Sequence, residues 1–138
     1  MTILDTNVLS ALMRQVPDPR VIEWLDNQPR TSIWITSITV LEVQFGLQIM
    51  AAGKRRALLM QGFEALLDRI GGRVAGFDEA AARQAGDLMA TRQRAGRPGD
   101  LRDTMIAGIA IAHRATLATR NVVHFDDISV LVVNPWIV

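Results

Sequence analysis

Strand-like and helix-like segments alternate throughout this chain, and that alternation leaves few folds open. Short apolar runs at residues 3–4, 32–35, 73–76, 117–119 and 130–133 read as strands. Helical character appears at residues 8–12, 19–25, 38–50, 54–70, 78–94 and 101–114. The breaks agree with this division. Pro29, Gly53, Gly71-Gly72 and Gly96-Arg97-Pro98-Gly99 fall between the segments, where helix-stopping and turn-forming residues belong. Strands alternating with helices predict an α/β fold with a mostly parallel sheet covered on both faces. Residues 1–138 carry no repeat, linker or low-complexity stretch and are expected to form a single domain. A domain of that size buries roughly two-thirds of its unfolded surface. The segment at residues 101–114 is apolar nearly all round from Met105 to Ala112, so it is expected to be buried.

Composition excludes several classes of function. The chain has no cysteine, which removes disulfides, thiol catalysis and zinc–thiolate sites. The start MTILDT has neither the basic region nor the long apolar stretch of a signal peptide. No apolar run approaches the ~20 residues needed to span a bilayer, so no membrane role is expected and a cytoplasmic location fits. The net charge of +1 does not announce a nucleic-acid binder. The basic residues are nonetheless almost all arginine, with Lys54 the sole lysine. Arg92, Arg94, Arg97 and Arg102 cluster just before Asp103. Arginine suits bidentate phosphate contacts, although a solvated helix end and loop would explain each of these equally well.

Four polar positions stand out against apolar surroundings: Asp5, Glu42, Asp103 and Asn121. A strand that delivers Asp5 at its C-terminal end places a carboxylate where α/β folds bind ligands. Each acid also has an ordinary use. Asp5 could cap the helix after it. Thr39-Val40-Leu41-Glu42 fits a capping box. Asp100 could cap the last long helix, with Asp103 in its first turn. Taken together, the acids suggest more. Glu42 shares a three-and-four spaced stripe with Ile38, Phe45, Gly46 and Ile49, which is expected to face inward. Asp103 opens a helix expected to be buried. Buried carboxylates are costly when unpaired, and clustered ones repel until one protonates. No lysine or arginine counter-charge is evident from the sequence. A hard divalent cation would relieve the repulsion.

The ordered set Leu4-Asp5-Thr6-Asn7, Ser37 with Glu42, Asp103 with Ile106-Ala107, Thr119-Arg120-Asn121 and Asn134-Pro135-Trp136 resembles PIN-domain ribonucleases. More narrowly it resembles the VapC and FitB toxins of bacterial toxin–antitoxin pairs. The likeness runs from Met1 to Trp136. It implies a three-layer α/β/α sandwich and an endoribonuclease dependent on Mg²⁺ or Mn²⁺. It further implies RNA as substrate, neutralisation by a cognate antitoxin, and a homodimer that enters a higher toxin–antitoxin assembly. DNA would be reached only through the antitoxin. Asp5, Glu42 and Asp103 match the acidic triad as catalytic residues and metal ligands. Thr6, Asn7 and Asn121 match auxiliary positions.

The chain departs from that pattern near its fourth acid. Relatives carry Asp at the place of Asn121, or an acid just before the Phe. Here the segment reads Asn121-Val122-Val123-His124-Phe125. Asp126 and Asp127 follow too late and read as turn residues. His124 reads as a loop histidine, since Mg²⁺ and Mn²⁺ favour oxygen donors. His113 reads as helix-end stabilisation. The missing acid gives some weight to an alternative, a weak or inactive PIN module that binds the antitoxin and assists repression. Arg97, Arg102 and Arg120 are the candidates to hold RNA. In the helical pair at residues 38–50 and 54–70, Leu59, Phe63, Leu66 and Ile70 recur at four-three-four spacing. The apolar area there is broad, and Phe45, Leu59 and Phe63 are the candidate antitoxin contacts.

Overall fold

Thr2–Leu4 forms β1, which lies at the centre of the sheet. Ile33–Thr36 (β2) and Thr116–Ala118 (β4) flank it, and Val74–Ala75 (β3) and Val132–Val133 (β5) complete the edges. The strand order is β3-β2-β1-β4-β5, and every pairing is parallel. The computed structural model describes residues 1–137, and Val138 lies outside them.

Among the described residues, six α-helices connect and cover these strands: Thr6–Met13 (α1), Pro19–Asp26 (α2), Ser37–Ile49 (α3), Lys54–Ile70 (α4), Glu79–Arg94 (α5) and Leu101–His113 (α6). Side chains fix where five of them begin, and four of the five caps are aspartates. Asp5, Asp18, Asp78 and Asp100 each accept a backbone N–H at the start of α1, α2, α5 and α6. Such caps satisfy amides that have no partner inside the helix. Pro19 occupies the first turn of α2, where its missing N–H costs nothing. Gly71 ends α4 at φ 61°, the left-handed conformation glycine adopts without strain.

Successive strand residues point to opposite faces, and β1 divides the core accordingly. Leu4 packs with Val8, Leu9, Val43, Leu47, Phe63 and Ile70 on the side of α1, α3 and α4. Ile3 packs with Ala81, Leu88, Ile106, Ile109 and Ala110 on the side of α5 and α6. The three expected layers follow. Helices α5 and α6 approach closely because Gly108 lacks a side chain. A Cβ there would sit 2.6 Å from the Ala81 carbonyl oxygen.

Several sequence expectations are corrected. The cap of α3 is Thr36, whose hydroxyl accepts from the Thr39 N–H at 3.1 Å, so Thr39 and Glu42 form no capping box. The inward face of α3 is Ile38, Thr39, Val43 and Leu47. Phe45 and Ile49 point to solvent, and Glu42 lies at the boundary. The apolar stripe of α4 turns into the monomer. Phe63 is 2% exposed, and Leu59 and Leu66 pack half-buried against the same cluster. Phe63 therefore presents no surface to a partner. Leu131 is exposed and lies outside β5, although its carbonyl still accepts from the Leu117 N–H.

Candidate active site

The sheet reverses direction of growth at β1. The chain builds outward through β2 and β3 on one side, then through β4 and β5 on the other. A crevice opens beyond the C-terminal ends of strands at such a switch point. Asp5 directly follows β1 and Thr119 directly follows β4. The Thr119 hydroxyl donates to Asp5 Oδ2 at 2.7 Å, and the Asn7 amide donates to the same oxygen at 3.2 Å. The Thr6 N–H donates to Oδ1 at 2.8 Å. Asp5 is only 3% exposed, and burial raises its pKa above the usual carboxylate range. The hydrogen bonds from Thr119 and Thr6 oppose that rise, while the charges of Asp103 and Glu42 add to it. Asp5 is thus both a helix cap and a member of an acidic cluster.

Glu42 reaches the cluster from the middle of α3. Its Oε1 accepts from the Thr6 hydroxyl at 2.8 Å, and that hydroxyl also shares a hydrogen bond with Thr39 at 2.9 Å. Arg102 Nε stands 3.7 Å from Glu42 Oε2. The absence of a counter-charge expected from sequence is therefore corrected. The helix start that presents Asp103 also presents Arg102. Asp103 lies in the first turn of α6, where its N–H donates to Asp100 Oδ1 at 3.1 Å. Burial raises the pKa of Asp103, and the charges of Asp100 and Glu42 raise it further. His124 opposes this from 3.6 Å, Nδ1 to Oδ2. The loop after β4 therefore folds back to Asp103 as a 3₁₀ turn over Val122–Phe125.

Asp5, Glu42 and Asp103 line one cleft of about 630 Å³. Thr6, Asn7, Asn121, Arg14, Arg120 and Trp136 share its walls. Among the described residues, no three acid or histidine side chains close on a single metal position. The donor chemistry suits a hard cation all the same. Every donor in the cluster is an oxygen, and the mutual repulsion of the acids is what a divalent ion removes.

Arg92 corrects another expectation. It is no solvated helix end but a buried strut. Its guanidinium makes two bonds of 2.8 Å to the Asp127 carboxylate. It also donates to the His124 carbonyl at 3.0 Å and to the Thr104 hydroxyl at 3.1 Å. The side chain thus joins α5, the first turn of α6 and the turn carrying His124. Asp127 is consequently more than a turn residue, and Arg92 holds its carboxyl below the usual range. Gly99 makes room, since a Cβ there would lie 2.8 Å from Arg92 Nη1. Arg97 pairs loosely with Asp126 at 3.5 Å on the surface.

The PIN-domain family model matches residues 2–131. The chain belongs to the PIN-domain family. It is 39% identical over 137 residues to the VapC ribonuclease Y4jK of Sinorhizobium fredii, covering 99% of this chain and 98% of that relative. It is 34% identical over 137 residues to the toxin FitB of Neisseria gonorrhoeae, covering 99% of both. The solved structure of FitAcB from Neisseria gonorrhoeae superposes with a TM-score of 0.90 at 33% identity, covering 100% of both chains. Solved FitAB and VapBC structures that resemble it include some bound to DNA fragments.

Within this PIN domain, the structure brings Asp5, Thr6, Asn7, Glu42, Asp103, Asn121 and Arg120 to one cleft. Arg97 lies apart from it, in the neighbouring pocket behind Asp103. Sequence reasoning placed Thr119 in a motif, Thr39 in a capping box and Arg92 in an arginine cluster, but missed what each of them does in the structure. Thr119 carried a usable signal, because it directly follows β4 just as Asp5 follows β1. Thr39 is a fully buried hydroxyl on an apolar helix face, which also asks for a partner. Arg92 carried none, since its partners Thr104, His124 and Asp127 are set by the fold. Among the described residues, no helix is long and apolar enough to cross a membrane.

Proposed function

We propose that this PIN domain, acting as a single domain in the cytoplasm, is the toxin of a toxin–antitoxin pair and hydrolyses RNA phosphodiester bonds with Mg²⁺ or Mn²⁺. One observation carries the reading. Three carboxylates from three separate elements line a single cleft at the sheet's switch point, and two of them have raised pKa values. Asp5, Glu42 and Asp103 would hold the cation. Bound there, the ion would supply a nucleophilic water near neutral pH and stabilise charge building on the phosphate. The protein's own part is orientation. Thr119, Asn7 and the Thr6 amide fix both oxygens of Asp5. Thr6 and Thr39 fix Glu42. Arg102, half exposed beside Glu42, would offer its guanidinium to a substrate phosphate.

Relatives named as toxins and ribonucleases support the activity, and solved VapBC and FitAB structures support an antitoxin partner. The partner's surface would be the exposed stripe Leu41, Phe45 and Ile49 on α3, which follows one helical face at i, i+4 spacing. DNA contact would come through that partner. The deciding test is cleavage of RNA by the purified chain with Mg²⁺ or Mn²⁺ and with chelator. Asp5→Asn, Glu42→Gln and Asp103→Asn should each lose more than roughly 100-fold, beyond what changes to outer positions around a metal cost. Full activity in any one of them would remove that acid from the site. Antitoxin binding without cleavage by the wild type would favour an inactive co-repressor.

A further inference from the structure

We propose that Arg120 and Trp136 form a shelf on which one nucleobase of the RNA stacks beside the acid cluster. The inference rests on the ribonuclease reading of the cleft. The Arg120 guanidinium carbon lies 4.9 Å from the centre of the Trp136 ring. Trp136 is only 7% exposed, whereas Arg120 is exposed. The guanidinium thus lies over the buried indole while Arg120 itself remains open to solvent. Both residues line the same cleft as Asp5, Glu42 and Asp103.

The shelf is held from its backbone. The Arg120 N–H donates to Asn7 Oδ1 at 3.1 Å, and the Arg120 carbonyl accepts from Asn134 Nδ2 at 3.4 Å. Asn134 Oδ1 in turn accepts from the Trp136 N–H at 2.9 Å. Asn7 also donates to Asp5. One amide side chain thus sets the distance between the shelf and the buried acid. Among the described residues no ion pair engages Arg120. A cation needed only to attract phosphate requires no aromatic support. A flat guanidinium backed by an indole presents a planar surface, and unpaired RNA bases stack on such planes. Stacking accepts any base, so the shelf would require an unpaired nucleotide without dictating its identity. A lysine would keep the charge and lose the plane.

The test uses the whole chain carrying Asp103→Asn, so that RNA is bound and not cut. Affinity for a short single-stranded RNA is measured by fluorescence anisotropy, with and without Arg120→Lys. The measurement is repeated with RNAs bearing one abasic nucleotide at each position in turn. Arg120→Lys should weaken binding of intact RNA about tenfold, within the range for loss of one base stack. At one position, the abasic RNA should already show that loss and lose nothing more with Arg120→Lys. Trp136→Phe, which keeps an aromatic ring, should retain most of the affinity and serves if Arg120→Lys melts early. Equal binding with and without Arg120→Lys would reduce the residue to a simple charge and overturn the shelf. So would a tenfold loss that persists at every abasic position, or a loss confined to binding of a protein partner. If the parent binds no RNA and the wild type cuts none with either metal, the ribonuclease reading itself falls. A shelf failure alone leaves that cleavage intact.

Discussion

The Thr6 hydroxyl donates to Glu42 Oε1 at 2.8 Å and so locks the first turn of α1 to the middle of α3. The Thr6 hydroxyl oxygen also meets the Thr39 hydroxyl at 2.9 Å, which leaves Thr6 little freedom to rotate. Replacing Thr6 with valine keeps the shape and removes the hydroxyl. Cleavage should fall roughly 10- to 100-fold, as for other residues that orient a metal-binding acid. Stability should fall by only about 1 kcal/mol. Unchanged kcat/KM would mean that Glu42 needs no positioning from Thr6.

Neutralising Asp103 and neutralising Asp5 should have different effects on the metal-free fold. Asp103→Asn removes a charge that burial and neighbouring acids disfavour, and the melting temperature should rise by a few degrees. Asp5→Asn relieves repulsion too, but it turns an amide donor toward donors already present on Thr119 or Asn7. Asn7 cannot simply flip, because its Oδ1 holds the Arg120 N–H. Asp5→Asn should therefore gain less than Asp103→Asn, or lose. Thermal melts in chelator would decide, and a larger gain at Asp5 would contradict the hydrogen-bond assignment.

The same groups predict a dependence on pH. Between the ordinary aspartate value of 3.8 and the raised value of Asp103, the folded chain holds more protons than the unfolded chain. Stability therefore falls as pH rises through that window. The opposite sign applies to Asp127, whose lowered pKa gives stability above 3.8 that is lost on acidification below it. Comparing wild type with Asp103→Asn isolates the first contribution. The advantage of the variant in metal-free urea titrations should shrink as pH falls from neutral toward 3.8. An advantage constant with pH would show that Asp103 carries no raised pKa.

Arg92→Met should cost about 2–4 kcal/mol. The lower part of that range reflects the partial exposure of Asp127, which water can solvate once its partner is gone. Thr104 and the His124 carbonyl lose a donor at the same time. The turn carrying His124 should loosen, and hydrogen exchange across Val122–Phe125 should quicken. No change in exchange there would deny Arg92 its role as a strut.

Phe45 and Phe63 separate surface from core. Phe45 is 56% exposed and Phe63 is 2% exposed. Phe45→Ser should leave the fold and cleavage intact while weakening neutralisation by the partner about tenfold or more, as loss of an exposed aromatic anchor does. Phe63→Ser should lose about 3–5 kcal/mol through the cavity it leaves. Normal inhibition of Phe45→Ser would move the partner's surface elsewhere.

The alternation of strands and helices, and the Asp and Pro residues at helix starts, were legible because they act over a few neighbouring residues. Asp5 was legible for the same reason, as an acid directly after a strand. The face of α3 was not. Spacing alone grouped Glu42 with Phe45 and Ile49, but contacts with β1 and α1 rotate the helix to bury Thr39, Val43 and Leu47 instead. Likewise, nothing local distinguishes Arg92 from Arg94. Only the arrival of the turn after β4 gives Arg92 its carboxylate and lets it sink. Arg102 escaped notice as a counter-charge because its approach to Glu42 depends on how α3 and α6 meet.

The central strand of the sheet is also the first to be made. Asp5 precedes Thr119, the donor that completes its hydrogen bonding, by 114 residues. At about 5–20 residues per second, roughly 6–23 s of translation separate the two. Until β4 docks beside β1, the crevice has one wall and Asp5 lacks its strongest donor. Until residue 119 has been made, the cleft that holds the acid cluster therefore lacks part of its wall.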